Sequence, residues 1–332
     1  MTEHETIGVA AIRRVTRRLI PFLVVLYIAA WLDRVNVGFA ALQMNSDLKF
    51  SSAAFGFGSG VFFLGYCLFE VPSNFILDRV GARLWIARIM ISWGLIASAM
   101  MFVRTPLTFY VLRFLLGAAE AGFFPGVIYY LSQWYPYADR ARAIAAFMMA
   151  IPVAGLVGGP LSGALLGLNG VYGIAGWQWV FLLEGLPSAL LGFVVLLYLT
   201  DRPEDAAWLT APERTWLVAR LNAERRAARA AHPIGAIAAL ANRTVWRLGI
   251  IFFLANLGFY AYSIWSPQII KSFVGTNDLM VGVLSGGISA VVIVVMLWNS
   301  AHSDRRCERP LHVAIPLFVM CGAFTATAAK TM

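Results

Sequence analysis

Arg113-Phe-Leu-Leu-Gly-Ala-Ala-Glu120-Ala-Gly122-Phe-Phe-Pro125-Gly126 sets an arginine and a glutamate inside a run otherwise fit for lipid. Seven residues make two helical turns, so both charges share one helix face, on the order of 10 Å apart along the axis. A charge at membrane depth costs roughly 2.5 kcal/mol or more, and such residues normally face a bundle interior or a polar cavity. This helix is therefore expected to wall a transport pathway; the alternative is an internal ion pair that only holds helices together. A second charged run, Asp33-Arg34 within Tyr27-Ile-Ala-Ala-Trp-Leu-Asp-Arg-Val-Asn-Val-Gly-Phe-Ala40, strengthens the first reading. The expectation is that Arg34 and Arg113 both turn inward to a wet central chamber.

Composition fixes the class. With 60% hydrophobic and 13% charged residues, the chain is far more apolar than a soluble protein and reads as an all-α polytopic membrane protein. The net charge of +9 comes from arginines in short loops, which membrane topology explains better than nucleic acid. Cys67, Cys307 and Cys321 have neither metal-ligand spacing nor a disulfide framework.

Apolar segments long enough to cross a bilayer fall near 20–42, 52–77, 84–103, 107–131, 142–168, 177–200, 246–272, 279–300 and 311–328. Arg13, Arg14, Arg17 and Arg18 precede the first, which lacks a cleavage site and reads as a retained span. If the N-terminus is cytoplasmic, twenty of the 26 Lys and Arg lie in inner loops and four outside, Lys49, Arg104, Lys271 and Lys330. That asymmetry predicts a cytoplasmic N-terminus. The expected organisation is a six-helix bundle over 1–200, an Arg-rich, partly helical cytoplasmic connector over 201–245, and a partial bundle over 246–332.

A short repeat crosses the connector. Asn74-Phe-Ile-Leu-Asp78-Arg79-Val-Gly81-Ala-Arg83 follows span 2, and Ser300-Ala-His-Ser-Asp304-Arg305-Arg306-Cys307-Glu308-Arg309 follows span 8. Internal repeats are how many transporters build two bundles that rock about a central site, with such charged loops able to latch one face.

The loop motif resembles the signature of the major facilitator superfamily, and Leu32-Asp-Arg-Val-Asn-Val-Gly-Phe-Ala40 is similar to span 1 of its anion:cation symporter branch. Pro72-Ser-Asn74, the Arg113/Glu120 pair, Gly176-Trp-Gln-Trp-Val-Phe-Leu-Leu-Glu-Gly-Leu-Pro187 and Arg202-Pro-Glu-Asp-Ala-Ala-Trp-Leu209 extend the resemblance over most of the chain. It implies twelve helices in two halves with substrate bound between them. It also implies proton-coupled uptake of a small organic anion such as a sugar acid, a tartrate-like dicarboxylate or an aromatic carboxylate, by a monomer in the inner membrane. The first loop has Asn74 and the second Cys307 where glycine is usual. The sequence stops at Met332 after nine spans, so a fragment or truncated product that does not transport as it stands is expected.

Arginine offers a planar, permanently charged fork that grips a carboxylate, which fits Arg34 and Arg113 to an anionic cargo. Proton coupling needs groups that titrate, and a carboxylate away from water holds a proton more readily unless a cation offsets it. Asp33 and Glu120 are the candidates, and the resemblance agrees. Protonation of Glu120 is expected to free an arginine for the cargo. Tyr66 is a candidate contact that the resemblance also places at the substrate; Asn256, Tyr260 and Tyr262 on span 7 are weaker ones. Glu70 reads as a gate partner with Asp78, Arg79, Gly81, Arg83, Asp304 and Arg305. Glu184 reads as a packing or hydrogen-bonding residue, and His302 and His312 lie too near water to carry protons at the midplane. The stripe Gly155, Gly159, Gly163 and Gly167 predicts close helix approach and resembles a motif of drug antiporters, so an exporter is one rival and a non-transporting sensor another. No phosphate loop, metal cluster or nucleophile elbow marks an enzyme, and no cofactor is expected beyond a proton gradient.

Overall fold

The computed structural model describes residues 3–231, 242–275, 277–306, 308 and 310–331. Helices follow the apolar runs: α1 (Glu3–Asp47), α2 (Ser52–Val80), α3 (Ala82–Ala99), α4 (Pro106–Glu120), α5 (Phe123–Trp134), α6 (Tyr137–Met148), α7 (Ala150–Leu166) and α8 (Gly176–Tyr198). Beyond them come α9 (Ala211–Ala231), α10 (Arg243–Val274), α11 (Asp278–Arg306) and α12 (Pro310–Thr331). No strand occurs among the described residues. That is the outcome expected in lipid, where an isolated segment satisfies its backbone only as a helix.

Among the described residues, eight helical segments are long and apolar enough to cross a bilayer. The predicted ninth, 311–328, falls in α12, whose apolar part is the shorter Pro310–Ala323. The predicted fourth span is not one helix. α4 ends at Glu120, Ala121 turns extended (φ −54°, ψ 131°), and Gly122 takes a left-handed φ of 86° that a side chain rarely adopts. The carbonyl freed at Ala121 accepts from Ser73 Oγ at 2.8 Å, and Trp85 Nε1 donates to the same Ser73 Oγ at 2.9 Å, so the break stays satisfied inside protein.

The first eight helices hold the core. α3 lies along α8, α2 along α4, and α1 against α7 and α8. Large rings fill the centre, with Phe62, Trp93, Phe123, Tyr130, Trp134 and Phe147 fully buried. Gly155, Gly159 and Gly163 of the predicted glycine stripe form a second seam, with α11, whereas Gly167 falls just past the end of α7 and meets only Ala164. A methyl group added at Gly159 would come within 2.5 Å of the Gly282 carbonyl, at Gly155 within 2.6 Å of Ser289 Oγ, and at Gly163 within 2.8 Å of the Asp278 carbonyl. Only small residues allow backbones that close.

The connector is partly helical, as α9, and its described part docks on the first helices; residues 232–241 lie outside the description. Leu217 and Leu221 are buried, Glu213 pairs with Arg14 at 3.1 Å, and Glu224 accepts from the Tyr137 amide at 2.9 Å. Arg18 lies over the rings of Tyr198 and Trp208 at 4.6 and 5.1 Å.

Candidate functional site

Arg34, in the C-terminal half of α1, is 7% exposed. Its Nη1 donates to the Tyr260 hydroxyl at 2.6 Å, and its Nη2 pairs with Glu120 Oε1. The rings of Trp31, Phe62, Tyr66 and Tyr260 surround the guanidinium carbon at 5.3 to 5.8 Å. Tyr260 belongs to α10, so this one side chain ties the first helices to the later ones. Glu120, 2% exposed, stands at the last residue of α4. The partial negative charge of a helix C-terminus disfavours an anion there, and the Arg34 charge offsets it.

Arg113 shares the face of α4 with Glu120, as the spacing predicted, but does not bond to it. It is 1% exposed, none of its three guanidinium nitrogens has a hydrogen-bond partner, and its guanidinium carbon lies 4.6 Å over the Phe62 ring. Glu120 acts on Arg113 and on Arg34 through space as well. One buried carboxylate thus bonds to one of two buried guanidiniums and acts on the other only through space. The expected wet chamber is not found around them, because protein groups enclose both arginines in this conformation. A cavity of about 340 Å³ lies nearby between α1, α7, α10 and α11; Trp31, Gly155, Tyr262, Ser266 and Ser289 are among its walls, and Arg34, Arg113 and Glu120 are not.

Asp33 does not join this cluster. Successive helical residues are turned by about 100°, so Asp33 faces α3 and α8 while Arg34 faces α4 and α10. Asp33 Oδ2 accepts from Trp93 Nε1 at 2.8 Å and from Ser188 Oγ at 2.5 Å. Asn256 also falls away from the cluster: its amide donates to the Phe252 carbonyl one turn back on its own helix, at 2.8 Å. Tyr66 and Tyr260 stand at Arg34, whereas Tyr262 faces the neighbouring cavity.

The charged loop after α2 bonds within the first helix group. Asp78 accepts from the Tyr129 hydroxyl at 2.9 Å. Gly81 has φ 97°, and Asp201 accepts from the Arg83 amide at 2.9 Å and pairs with Arg83 Nε at 3.5 Å. Arg79 and Arg305 are exposed, and the Asp304 side chain and Cys307 lie outside the described residues. A latch between the two loop copies is therefore not part of the described contacts. Glu70 is half-buried on α2, within electrostatic reach of Arg34. His302 and His312 contact each other, Nδ1 to Nε2 at 2.7 Å, with Glu308 Oε2 2.7 Å from His312 Nδ1. The Leu311 amide and His312 hold the Glu308 carboxyl below its ordinary range.

Sequence reasoning missed a polar clasp at the other end of the bundle. Lys271 Nζ lies 2.8 Å from Asp278 Oδ1, Gln43 Nε2 donates to Asp278 Oδ2 at 2.8 Å, and Lys271 also donates to the Leu42 carbonyl at 3.3 Å. Together with the Gly159–Gly282 seam it closes that end between α1, α7, α10 and α11. The only available signal was an acidic residue opening α11 seven positions after a lysine.

A helical bundle that crosses the membrane many times, with buried guanidiniums between two helix groups, is the architecture of a membrane carrier. The chain belongs to the Major Facilitator Superfamily, whose model matches residues 23–331. It is 54% identical to an Agrobacterium vitis protein provisionally named a tartrate transporter, over 91% of this chain and 69% of that one. It is 43% identical to a quinolone resistance transporter of Acinetobacter baumannii, over 91% of this chain and 70% of the other. Among solved structures it is similar to a bacterial homologue of the human lysosomal transporter Spinster, inward-facing and occupied. The TM-score is 0.67 at 19% identity, over 86% of this chain and 61% of that chain, so the likeness concerns the fold. The chain thus spans about two thirds of the length of these proteins.

Proposed function

We propose that the protein is a proton-coupled carrier that takes up a small organic anion, with Arg34 and Arg113 gripping its carboxylate and Glu120 exchanging the proton. One observation carries this reading: the single buried carboxylate bonds to Arg34, while buried Arg113 beside it has no hydrogen-bond partner among the described residues. A buried charge is tolerated only when it is paired, so the site has room for one more negative charge. A carboxylate cargo supplies it, and arginine is the side chain suited to hold it bidentately.

Glu120 and the cargo compete for Arg34. While Glu120 is ionised it occupies Nη2; once protonated it releases the guanidinium, and the cargo carboxylate takes its place. Proton and anion then favour each other's binding, which is the linkage that symport requires. Tyr260 carries the event to α10, and Tyr66 and Trp31 supply flat walls for the cargo. The basic end of the bundle lies in the cytoplasm of a cell whose inner membrane holds the carrier, and the Lys271–Asp278–Gln43 clasp closes the outer end. The relationship to a protein provisionally named for tartrate supports a hydroxy-dicarboxylate as the first cargo to try.

Proteoliposomes bearing this chain completed with the remaining spans of a full-length relative, under an imposed proton gradient, test the reading with labelled tartrate and a panel of sugar and aromatic acids. Accumulation of one of them that is abolished by Glu120→Gln is expected; gradient-driven accumulation unchanged in Glu120→Gln would remove that residue from coupling. A second reading is favoured by the quinolone resistance relative: export of a larger amphipathic compound through the same site. Loss of fluorescent quinolone from loaded vesicles, with no uptake of organic acids, would select it.

A further inference from the structure

The apolar run of α1 opens near Ile20, whereas the helix itself reaches back to Glu3. Its leading turns have two faces with different surroundings. Gly8, Ala11, Val15 and Leu19 recur at helical spacing and are buried, the last two in the same core as Leu217 and Leu221 of α9. The approach is close, since a methyl group added at Gly8 would come within 2.5 Å of the Trp216 ring. Val9, Arg13 and Arg17 follow one another by single turns on the opposite side, flanked by Ala10 and Arg14, and all five are exposed.

A cavity of about 350 Å³ runs along that side, with Val9, Ala10, Arg13, Arg14 and Arg17 of α1 and Glu213 of α9 among its walls. Its charges do not balance. Glu213 is the only carboxylate lining it and is engaged twice, by Arg14 Nη1 at 3.1 Å and by the Thr210 amide at 2.9 Å. Arg13 and Arg17 have neither an ion pair nor a side-chain hydrogen bond among the described residues. Three guanidiniums facing one carboxylate leave the cavity positively charged.

Depth narrows the choice of anion. Arg17 and Arg13 precede Ile20 on the same helix, which puts them roughly 4.5 and 10 Å beyond the start of the apolar run. Headgroups occupy about 5–7 Å on each side of the hydrocarbon, so Arg17 lies among them and the long side chain of Arg13 reaches them. A guanidinium fork matches phosphate oxygens bidentately, and a phosphodiester carries the negative charge that the cavity lacks. We propose that this cavity binds the phosphate of an anionic phospholipid, held by Arg13 and Arg17, with Arg14 shared between the lipid and Glu213.

A zwitterionic headgroup suits the cavity less well, because its own ammonium would stand beside the arginines. A phosphate free in solution lacks the high local concentration that a bilayer gives its headgroups. The site lies at the start of α1, far along the helix from Arg34, so it is separate from the arginine cluster and does not depend on what the protein carries. A lipid held there would bridge α1 and the docked connector, since Arg14 and Glu213 belong one to each.

Native mass spectrometry and thermal unfolding of the purified chain in detergent, with added phosphatidylglycerol, phosphatidylcholine or inorganic phosphate, test the site. Phosphatidylglycerol is expected to be retained and to raise the unfolding temperature, and the other two are not. Arg13→Gln combined with Arg17→Gln is expected to weaken that retention roughly tenfold or more. Arg142→Gln combined with Arg226→Gln removes the same charge from exposed positions outside the cavity and is expected to leave retention unchanged. Glu213→Gln frees Arg14, keeps an acceptor for the Thr210 amide and is expected to tighten it. The proposal is overturned if the Arg13 and Arg17 double variant retains the lipid as the parent does, or if the Arg142 and Arg226 pair loses as much. It is also overturned if phosphatidylcholine or inorganic phosphate matches phosphatidylglycerol. Should the first double variant fail to fold, unchanged or weaker retention in Glu213→Gln overturns it equally. A chain that holds the lipid but binds no organic anion would sink the carrier reading and leave this site standing.

Discussion

The apolar 18-residue windows of Pro106–Trp134 and Arg243–Val274 have nearly the same mean hydropathy, 1.5 and 1.6, yet 56% of the first window and 6% of the second is buried in protein. Hydropathy decides that a helix partitions into lipid. It does not decide what the helix packs against, because lipid tails are as apolar as leucine. The two segments differ in what the described residues place against them. A methyl added at Gly126 would meet Leu77 Cδ1 at 2.7 Å, and Arg113 lies against Phe62, whereas a methyl at Gly249 would meet nothing within 4 Å. The later helix joins the rest mainly through Tyr260, Ile264, Trp265 and Lys271, where polar groups or close backbone contacts are available.

Three substitutions would sharpen or break that contrast. Arg34→Ala should have the largest effect, because it removes the tie to α10 and leaves Glu120 buried without its partner; about 3–5 kcal/mol of stability is expected to go. Unfolding in detergent measures it, and a loss below about 1 kcal/mol would mean that Arg113 replaces Arg34 as the partner. Gly159→Val pushes two methyl groups towards the Gly282 carbonyl, which stands only 2.5 Å from an added Cβ. A cost of about 1–3 kcal/mol is expected, together with faster hydrogen exchange in α11. Phe252→Leu, at a ring 71% exposed, should change stability by less than about 0.5 kcal/mol. A larger loss there would show that more protein covers α10.

Part of the site could be read in advance, for a physical reason. An arginine or glutamate within an apolar run is so costly that it must turn inward, so Arg34, Arg113, Asp33 and Glu120 were visible as buried charges from sequence alone. Their partners were not. Helical spacing put Arg113 and Glu120 on one face, but the carboxylate bonds to Arg34 from another helix. Nothing in the neighbourhood of Asp33 in sequence points to Trp93 or Ser188, which lie 60 and 155 residues away. Glu184 reads from the sequence as a packing or hydrogen-bonding residue; its donor, Ser162, emerges only from the packing of α7 and α8. The break after Glu120 had a local signal, Gly122 with Pro125 three residues on, which the strong hydropathy of the whole run obscured.

By itself the sequence determined that the chain is a stack of membrane helices, roughly where they begin and end, and which charges are forced out of lipid. Those properties follow from short-range quantities, namely apolar length, helical period and the cost of a charge in hydrocarbon. Only the tertiary structure decided what each charge meets: Arg34 with Glu120 and Tyr260, Asp33 with Trp93 and Ser188, Lys271 with Asp278. Neighbouring residues on α1 were sent to opposite sites because a rotation of about 100° per residue separates them, and helix packing alone determines what stands on each side.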